Sequence, residues 1–542
     1  MKTIKIFLAS SEELEDDRNA FGNLVRKLNK TYEKRGIHLE LFEWEDYDAA
    51  YNDRRKQDEY NDEVRASDMF LAVFHTKAGK FTIEEFDVAT EEFREKGSPK
   101  SYVYCKDLRD GEIESEELKE FKRRLFDEMG HYWSRYANRD TMQLHFVMQL
   151  QMVENSRGED LKVKDGNVVL HDQPIARMEN LPFAGLNEDF QKMSARLAEL
   201  PGKIEKARSK SEKYPDDEDF KDDLQTLLNE YNKLRDDFAD YQNNLFATAQ
   251  RMAKLQGESI TERMRRAMDA FNNGKVHEAN IILDEAERDG ERALNDYKQS
   301  KEITEQKRQN VIKSIEEITL KALTMLADLS IPVEERIVKV EQLYEQVDTM
   351  AQDIEYDADS HDDILDCYSI FLSTYGLYDK ALATYKRIID TRIRIYGEDN
   401  IVTAIAYNDI GLTYIKIGDH KNGAIHLYKS LSILNNHTDS EAYSHLIGII
   451  YNNIGLSHIA LGEFNKAIDC FLKSLSFCDN TPDNSRLVAM AYCNLGNAFI
   501  KLDKFAEGIE YCHKAINLQI KFFGEEEIDL AASYINLGGA HH

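Results

Sequence analysis

Strand-like and helix-like patterns alternate over the first 110 residues of the chain. Apolar or alternating runs predict four strands, over residues 4–10, 37–44, 69–74 and 101–105. Helical patterns lie between them, over residues 12–35, 54–66 and 82–96. The third strand is apolar throughout, as expected for a strand that is covered on both faces. This order predicts an α/β domain in which helices flank a parallel sheet.

Long helical patterns dominate the rest of the chain. Residues 114–154 predict a helix that contains an irregular aromatic stretch. A small β-hairpin is predicted over residues 161–175, because Asp165-Gly166 is a favourable turn. Residues 187–300 are rich in Lys, Glu, Asp and Leu, which suits long antiparallel helices or a coiled-coil stalk, and the helical pattern continues almost to the end.

A short phrase recurs four times in the last third of the chain. It starts with a tyrosine and ends four residues later with a glycine, at Gly411, Gly455, Gly496 and Gly538. These glycines are 44, 41 and 42 residues apart. A fixed period of this length indicates stacked helical hairpins, each of which buries its apolar face against its neighbours.

A second pattern places a small residue five positions after a glycine or its substitute. It occurs at Gly376/Ala381, Gly418/Gly423, Gly462/Ala467 and Asp503/Gly508. The first residue would turn the chain between two helices, and the small one would let the helices approach closely. In these features residues 361–542 resemble the tetratricopeptide repeat (TPR) family, with a last repeat that is incomplete. The resemblance implies an α-solenoid whose concave face binds a protein or peptide ligand.

Composition narrows the kind of partner. The formal net charge is −30, whereas phosphate binding needs a basic surface, so nucleic acid is disfavoured. No apolar run approaches the ~20 residues that a membrane span needs. Six cysteines form no CxxC pair, which fits a reducing compartment. We therefore predict a cytoplasmic protein that binds neither nucleic acid nor membranes.

Familiar enzyme motifs are missing from the N-terminal β/α region. It contains no GxGxxG or GxxxxGK[ST] phosphate loop, no GxSxG turn, and no HExxH or carboxylate–histidine cluster that suggests a metal. This disfavours kinases, ATPases, dehydrogenases, hydrolases and metalloenzymes. We expect no metal site and no bound cofactor.

Chemically capable residues nevertheless collect at the predicted carboxyl ends of the strands. Ser10 and Ser11 close the first strand, Trp44 closes the second, and Glu85 follows the third. Ligands of open parallel sheets bind at this edge. We therefore predict that one pocket holds Ser10, Trp44 and Glu85.

At these positions residues 1–155 resemble the Toll/interleukin-1 receptor (TIR) domain family, in particular its bacterial members. That family places its catalytic glutamate four residues after an aromatic residue and four before a small one, as Phe81, Glu85 and Ala89 are spaced here. The resemblance implies a flavodoxin-like sheet and self-association through this domain. It also implies cleavage of the nicotinamide–ribose bond of NAD+, which is then a substrate and not a cofactor.

The resemblance gives each candidate a role. Glu85 would be catalytic, since a carboxylate stabilises the oxocarbenium character that develops on the ribose. Trp44 or Phe81 would stack on the nicotinamide ring, and Ser10 and Ser11 would contact the substrate. The residues alone leave other roles open: Glu85 as a solvated surface residue, Trp44 as a packing residue, and the serines as caps of the first helix.

Two functions of different classes follow. In the first, the repeats sense a trigger, a connector transmits it or oligomerises, and the TIR-like domain hydrolyses or cyclises NAD+, as in bacterial anti-phage immunity. In the second, the chain is a non-enzymatic adaptor that acts by protein–protein interaction. A weaker third option is a related N-glycosidic reaction on nucleosides. The predicted organisation is a TIR-like domain (1–155), a β-hairpin linker (156–186), an all-α connector (187–360) with one TPR-like hairpin near 261–290, and TPR repeats (361–542).

Overall fold

The computed structural model places most of the chain in two compact units. Unit 1 comprises residues 1–350 and unit 2 comprises residues 351–542. The described residues are 2–33, 36–42, 56–109, 111–127, 129, 133–153, 161–170, 173–214, 217–255, 260–299, 305–436, 443–477, 485–523 and 533–538.

Unit 1 begins with a five-stranded parallel sheet. Its strands are β1 (Lys2–Ser10), β2 (Ile37–Phe42), β3 (Met69–Phe74), β4 (Lys100–Lys106) and β5 (Ser134–Tyr136). They lie in the order β2-β1-β3-β4-β5. Ile6 of β1 lies opposite Leu41 on one side and Met69 on the other. The predicted α/β class with a parallel, flavodoxin-like sheet is confirmed.

Helices cover both faces of this sheet. They are α1 (Glu15–Tyr32), α2 (Lys56–Ala66), α3 (Lys80–Lys96), α4 (Glu116–Asp127) and α5 (Arg139–Val153). Successive side chains of β1 enter two different apolar cores. Leu8 packs in the core of α1 and α5, whereas Phe7 packs in the core that contains Phe86 of α3. All six side chains of β3 are buried, as predicted.

The predicted helix over residues 114–154 is wrong in its middle. The structure has two helices there, α4 and α5, and the short strand β5 between them pairs with β4. Of the three residues of β5, only Tyr136 is buried. So short a strand carries no alternating pattern, and it is held in place by backbone pairing with the edge of the sheet. The sheet therefore has one strand more than predicted.

A small antiparallel sheet follows, made of β6 (Leu161–Lys164), β7 (Asn167–Leu170) and β8 (Gln173–Arg177). Asp165 and Gly166 connect β6 to β7 with φ values of 49° and 72°. These positive values are the ones that an Asp-Gly hairpin turn adopts. The turn lies where the sequence predicts it, and β8 adds a third strand.

The remainder of unit 1 is helical. Its helices are α6 (Pro182–Gly185), α7 (Glu188–Lys213), α8 (Glu218–Lys254), α9 (Glu262–Asn272), α10 (Val276–Ile282), α11 (Ala286–Gln299), α12 (Glu305–Leu326) and α13 (Val333–Asp353), the last of which runs into unit 2. The long helices α7 and α8 pack against each other. Residues 314–326 of α12 are all buried, and Arg263 of α9 donates to its Glu317 at 2.8 Å. The C-terminal part of α12, buried on all sides, is therefore a core element of unit 1.

Unit 2 is a series of helical hairpins. Its helices are α14 (Ala358–Thr374), α15 (Tyr378–Tyr396), α16 (Ile401–Ile417), α17 (His420–Asn436), α18 (Ser444–Ala460), α19 (Phe464–Ser476), α20 (Ser485–Lys501) and α21 (Phe505–Phe523). Each even-numbered helix pairs with the one that follows it. Gly418 and Gly462 turn the chain between helices with φ values of 91° and 74°, and Asp503 adopts 58° in place of a glycine. The predicted turn role of this position is confirmed.

The repeat glycines lie where the two helices of a hairpin touch. A Cβ atom on Gly455 would lie 2.4 Å from Cε1 of Phe471, and one on Gly496 would lie 2.6 Å from Sγ of Cys512. A methyl group at either position must therefore push the helices apart. Together with Gly411, whose Cβ would lie 2.9 Å from Cγ of Leu427, these contacts explain why a glycine ends the first three recurring phrases.

We expect Gly455→Ala to destabilise unit 2 by about 1–3 kcal/mol, the usual cost of overpacking a close contact. Gly202→Ala in α7 is the matched control, since its Cβ would meet no atom within 4 Å. That change should stabilise the protein by up to about 1 kcal/mol, because alanine favours the helix. Thermal unfolding of both variants checks this, and a Gly455→Ala variant as stable as the wild type would contradict the close contact.

Candidate functional site

Glu85 lies in the second turn of α3 and faces α2. Its side chain is only 6% exposed, whereas Glu91 and Glu95 of the same helix are exposed. The helix begins at the carboxyl end of β3, so the chain order of the sheet places Glu85 just beyond that edge. The alternative of a solvated surface residue is therefore wrong for Glu85.

Two amide side chains of α2 contact the carboxylates of α3. Gln57 Nε2 donates to Glu85 Oε1 at 3.0 Å and to Asn61 Oδ1 at 3.3 Å. Asn61 Nδ2 donates to Glu84 Oε1 at 3.1 Å. Both amides are buried, and their four-residue spacing puts them on one face of α2. Sequence reasoning missed both residues, and that spacing inside a charged helix was the only available signal.

Burial controls the acidity of Glu85. It raises the pKa of Glu85 from 4.5 to about 7, because the carboxylate loses its hydration. The hydrogen bond from Gln57 opposes this shift, and the charge of Glu84 adds to it. Burial, together with the charge of Glu85, also raises the pKa of Tyr60 on α2. A carboxyl group whose pKa is close to neutral pH is a frequent feature of functional sites.

Ser10 and Ser11 contact the start of α1 and not Glu85. Arg18 Nη1 donates to Ser10 Oγ at 3.0 Å and to the Ser11 carbonyl oxygen at 2.8 Å. Ser11 Oγ donates to Glu13 Oε1 at 3.1 Å. Ser10 is two residues after Leu8, so its side chain points to the same face of the sheet as Leu8, the face covered by α1. Glu85 belongs to α3, which packs on the opposite face. The structure therefore does not bring Ser10 and Glu85 together.

Internal contacts close the edge between β1 and β3. The Glu13 carboxylate accepts hydrogen bonds from Thr76 Oγ1 at 2.6 Å and Thr76 N at 3.2 Å. Burial alone would raise the pKa of Glu13, but these bonds lower it. His75 Nε2 lies 2.9 Å from Glu112 Oε2 in the loop after β4. Side chains of the protein thus contact one another at the β1–β3 part of the edge where this class of sheet usually binds ligands.

Phe81 and Trp44 complete the predicted set. Phe81 lies in the first turn of α3, one turn before Glu85, and is 57% exposed. Its ring is open to a flat ligand. Trp44 lies outside the described residues. Within the described part of the chain, no group of three or more His, Cys, Asp or Glu side chains is placed to hold a metal ion.

The first helices of consecutive hairpins in unit 2 form a second candidate site. α16 packs on α18, and α18 packs on α20, more closely than the second helices α17, α19 and α21 pack on one another. Helices that lie closer together form the inner side of a curved stack. We therefore assign the concave face of these hairpins to α16, α18 and α20.

The middle of this concave face is uncharged. α18 contains no Asp, Glu, Lys or Arg, although 31% of the chain is charged. It presents Ile449, Asn453 and Leu456, and Asn494 Nδ2 of α20 donates to Asn452 Oδ1 at 2.9 Å. The second helices expose lysines and carboxylates instead. The face therefore offers apolar groups and amides to a partner.

A buried ion cluster joins the first two hairpins of unit 2. Arg392 of α15 contacts Asp362 and Asp366 of α14, each at 3.0 Å, and its Nη1 donates to the Val402 carbonyl oxygen of α16 at 3.1 Å. Arg392 and Asp362 are completely buried. Burial and the charge of Asp366 raise the pKa of Asp409 on α16 to about 7. This cluster connects α14, α15 and α16 through one buried arginine.

Family comparisons match the repeat region. Tetratricopeptide repeat models match residues 365–436, 449–481 and 489–519. Residues 365–519 contain tetratricopeptide repeats. The repeats make the chain suited to protein–protein interaction. No TIR domain model matches, and no curated protein matches the chain.

Several solved structures are similar to the chain. The crystal structure of BtubC (BKLC) from P. vanneervenii is 17% identical, covers 49% of this chain and 95% of its own, and has a TM-score of 0.34. A thermophilic TPR protein of Thermus thermophilus is 19% identical over 39% of this chain and 93% of its own, with a TM-score of 0.23. The TPR2AB domain of yeast Sti1 in its pHSP90 complex is 11% identical, covers 52% of this chain and 98% of its own, and has a TM-score of 0.22.

Among the described residues, no helix is both long enough and apolar enough to cross a membrane.

Proposed function

We propose that the TPR repeats bind a segment of another protein and that this event activates cleavage of the nicotinamide–ribose bond of NAD+ at Glu85. Glu85 is the observation on which the enzymatic half depends: it is a buried carboxyl group with a pKa of about 7. The sequence resemblance to the TIR family matches this residue to the catalytic glutamate of that family. The proposed setting is bacterial anti-phage immunity, where NAD+ loss would stop the infected cell.

The chemistry needs one carboxylate. When the bond between ribose C1′ and the nicotinamide nitrogen breaks, its electron pair leaves with neutral nicotinamide and C1′ gains oxocarbenium character. Ionised Glu85 stabilises that positive charge. Water then attacks C1′ and releases a proton to give ADP-ribose, or a nitrogen of the adenine attacks to give a cyclic product. Because nicotinamide leaves as a neutral molecule, no second carboxyl group is needed as a general acid.

The burial of Glu85 indicates regulated activity. Its carboxylate is covered by α2 and bound to Gln57, so a substrate reaches it only when the contact between α2 and α3 loosens. Phe81 stands exposed one turn away and can stack on the nicotinamide ring once the site opens. We expect little turnover by the isolated chain and a large increase on binding of a trigger or on self-association of the TIR-like domain.

The partner half is tested by two matched leucines. Leu456 of α18 and Leu472 of α19 are similarly exposed, at 38% and 44%, but only Leu456 lies on the concave face. A displayed library of random peptides is selected on the immobilised wild-type protein. We expect the selected peptides to lose at least about 10-fold in affinity for Leu456→Lys, because a charge is buried on binding. Equal loss with Leu472→Lys would contradict the assignment of the face.

NAD+ consumption by the purified full-length protein, with and without the selected peptides, tests the enzymatic half. Chromatography of the products separates nicotinamide with ADP-ribose from nicotinamide with a cyclic product. No turnover even after the protein is clustered on beads would favour the second candidate, a non-enzymatic adaptor. One observation favours that candidate now: side-chain contacts close the sheet edge at β1 and β3.

A further inference from the structure

We propose that Gln57 and Asn61 are positioning residues that together keep Glu85 in its ionised form. They do so by presenting an N–H group, and not a carbonyl oxygen, to the Glu85 carboxyl. The catalytic meaning of this inference rests on the proposed function, but the protonation of Glu85 can be measured whether or not NAD+ is cleaved.

The direction of both amides follows from a chain of hydrogen bonds that starts at Glu84. An ionised carboxylate only accepts hydrogen bonds. Asn61 must therefore turn its Nδ2 to Glu84 Oε1, at 3.1 Å. Its Oδ1 is then left to accept from Gln57 Nε2, at 3.3 Å. The second N–H of the same nitrogen reaches Glu85 Oε1 at 3.0 Å.

This arrangement matters because a lone amide can turn around. Without Asn61, Gln57 could present either its nitrogen or its oxygen to Glu85. The nitrogen stabilises the carboxylate, and the oxygen stabilises the protonated acid. Glu84, although it carries a like charge that favours protonation of Glu85, thus also orients the group that opposes protonation.

The surroundings of Glu85 make this donor important. Among the described residues, the titratable groups that act on Glu85 or respond to its charge are Glu84 of its own helix and Tyr60 of α2, and neither supplies a positive charge. Burial favours the neutral acid, and Gln57 is the group that opposes it. Loss of the donor would leave Glu85 mostly neutral at physiological pH, and only the ionised fraction could stabilise an oxocarbenium ion.

The test is the titration of the Glu85 carboxyl in the full-length protein, from the 13C resonances of labelled glutamate. The Glu85 signal is identified as the one missing in Glu85→Gln. Gln57→Met keeps the approximate size and removes the amide, and we expect it to raise the titration midpoint by about one pH unit. Asn61→Leu keeps the Gln57 donor but removes the group that orients it, so we expect a smaller shift in the same direction.

A matched control exists on α8. Gln225 and Asn229 form the same four-residue amide pair, with 2.9 Å between Nε2 and Oδ1, on an exposed surface. Gln225→Met should leave the midpoint of Glu85 unchanged. Gln57→Asn, whose amide is one carbon too short, replaces Gln57→Met if that variant does not fold. An unmoved midpoint in the Gln57 variant or in Asn61→Leu overturns the proposal.

Turnover gives the second readout. If NAD+ is cleaved, the rate should rise with pH around the titration midpoint of Glu85. In Gln57→Met this rise should occur at a higher pH, and the rates of the variant and the wild type should converge once Glu85 is ionised in both. A uniform loss at every pH would indicate a merely structural role and would overturn the proposal. Shifted midpoints in a protein that never cleaves NAD+ would support the amide arrangement and refute the proposed reaction.

Discussion

Glu85→Gln is expected to abolish NAD+ cleavage and, at the same time, to stabilise the protein above pH 7. The loss of turnover should be at least about 100-fold, since a neutral amide cannot stabilise the positive charge on the ribose. The gain in stability arises because glutamine fills the same space without burying a charge. Gln57 Nε2 can still donate to the new amide oxygen. A buried carboxylate retained at a cost in stability is typical of a functional residue.

The sign of the pH dependence follows from the raised pKa. The pKa of Glu85 is about 7 in the folded protein and 4.5 as the reference for the unfolded chain. Between these values only the folded state holds the proton, so the stability from this group is present below 4.5 and is lost as the pH rises through about 7. That pKa difference corresponds to about 3 kcal/mol. The variant lacks this loss, so the two proteins should match near pH 4.5, diverge as the pH rises towards 7, and differ by the full amount above pH 7.

Calorimetric unfolding at several pH values checks the prediction. Glu95→Gln removes an exposed glutamate from the same helix and should change neither turnover nor the pH dependence. A Glu85→Gln protein that is less stable than wild type at alkaline pH would show that the carboxylate has a structural role. Full turnover by Glu85→Gln would refute the catalytic role.

The clearest periodic signals gave the most accurate predictions. The uninterrupted apolar run of residues 69–74 is a buried central strand with those same bounds. The turn glycines Gly418 and Gly462 have the positive φ that the spacing implied. In each case the local structure restricts the residue type directly: a strand covered on both faces needs apolar side chains, and a positive φ favours glycine. The strand β5 carries no such requirement, because pairing with β4 alone defines it.

The candidate site was only partly accessible from the sequence. Its position at the end of a strand correctly placed Ser10 near the edge of the sheet. Because side chains alternate along a strand, however, Ser10 points to the same face as Ile4, Ile6 and Leu8, which is the face covered by α1. The burial of Glu85 was not predictable, since its helix is rich in exposed glutamates. Gln57 lies 28 residues away in the chain, and the contact depends on how α2 packs on α3.

Arg392→Met is expected to cost unit 2 about 3–5 kcal/mol, which is the usual penalty for removing one partner of a buried ion pair. Methionine fills part of the volume of the arginine stem but leaves Asp362 and Asp366 without their cation. The Val402 carbonyl oxygen also loses its donor. Lys466→Met is the control, because it also removes one positive charge. The ion pair of Lys466 with Glu463 is exposed, so this variant should lose less than about 1 kcal/mol of stability.

The Arg392→Met deficit should depend on pH, because the cost is that of buried negative charge. Burial and the neighbouring Asp362 raise the pKa of Asp366, and Arg392 opposes them, so its removal raises that pKa further above the unfolded value of 3.8. Stability from such a group is present below 3.8 and is lost as the pH rises through the folded pKa. We therefore expect a small deficit at about pH 4 and the full deficit at about pH 8. Equal deficits at both would show that the arginine acts through the packing of its stem and not through its charge.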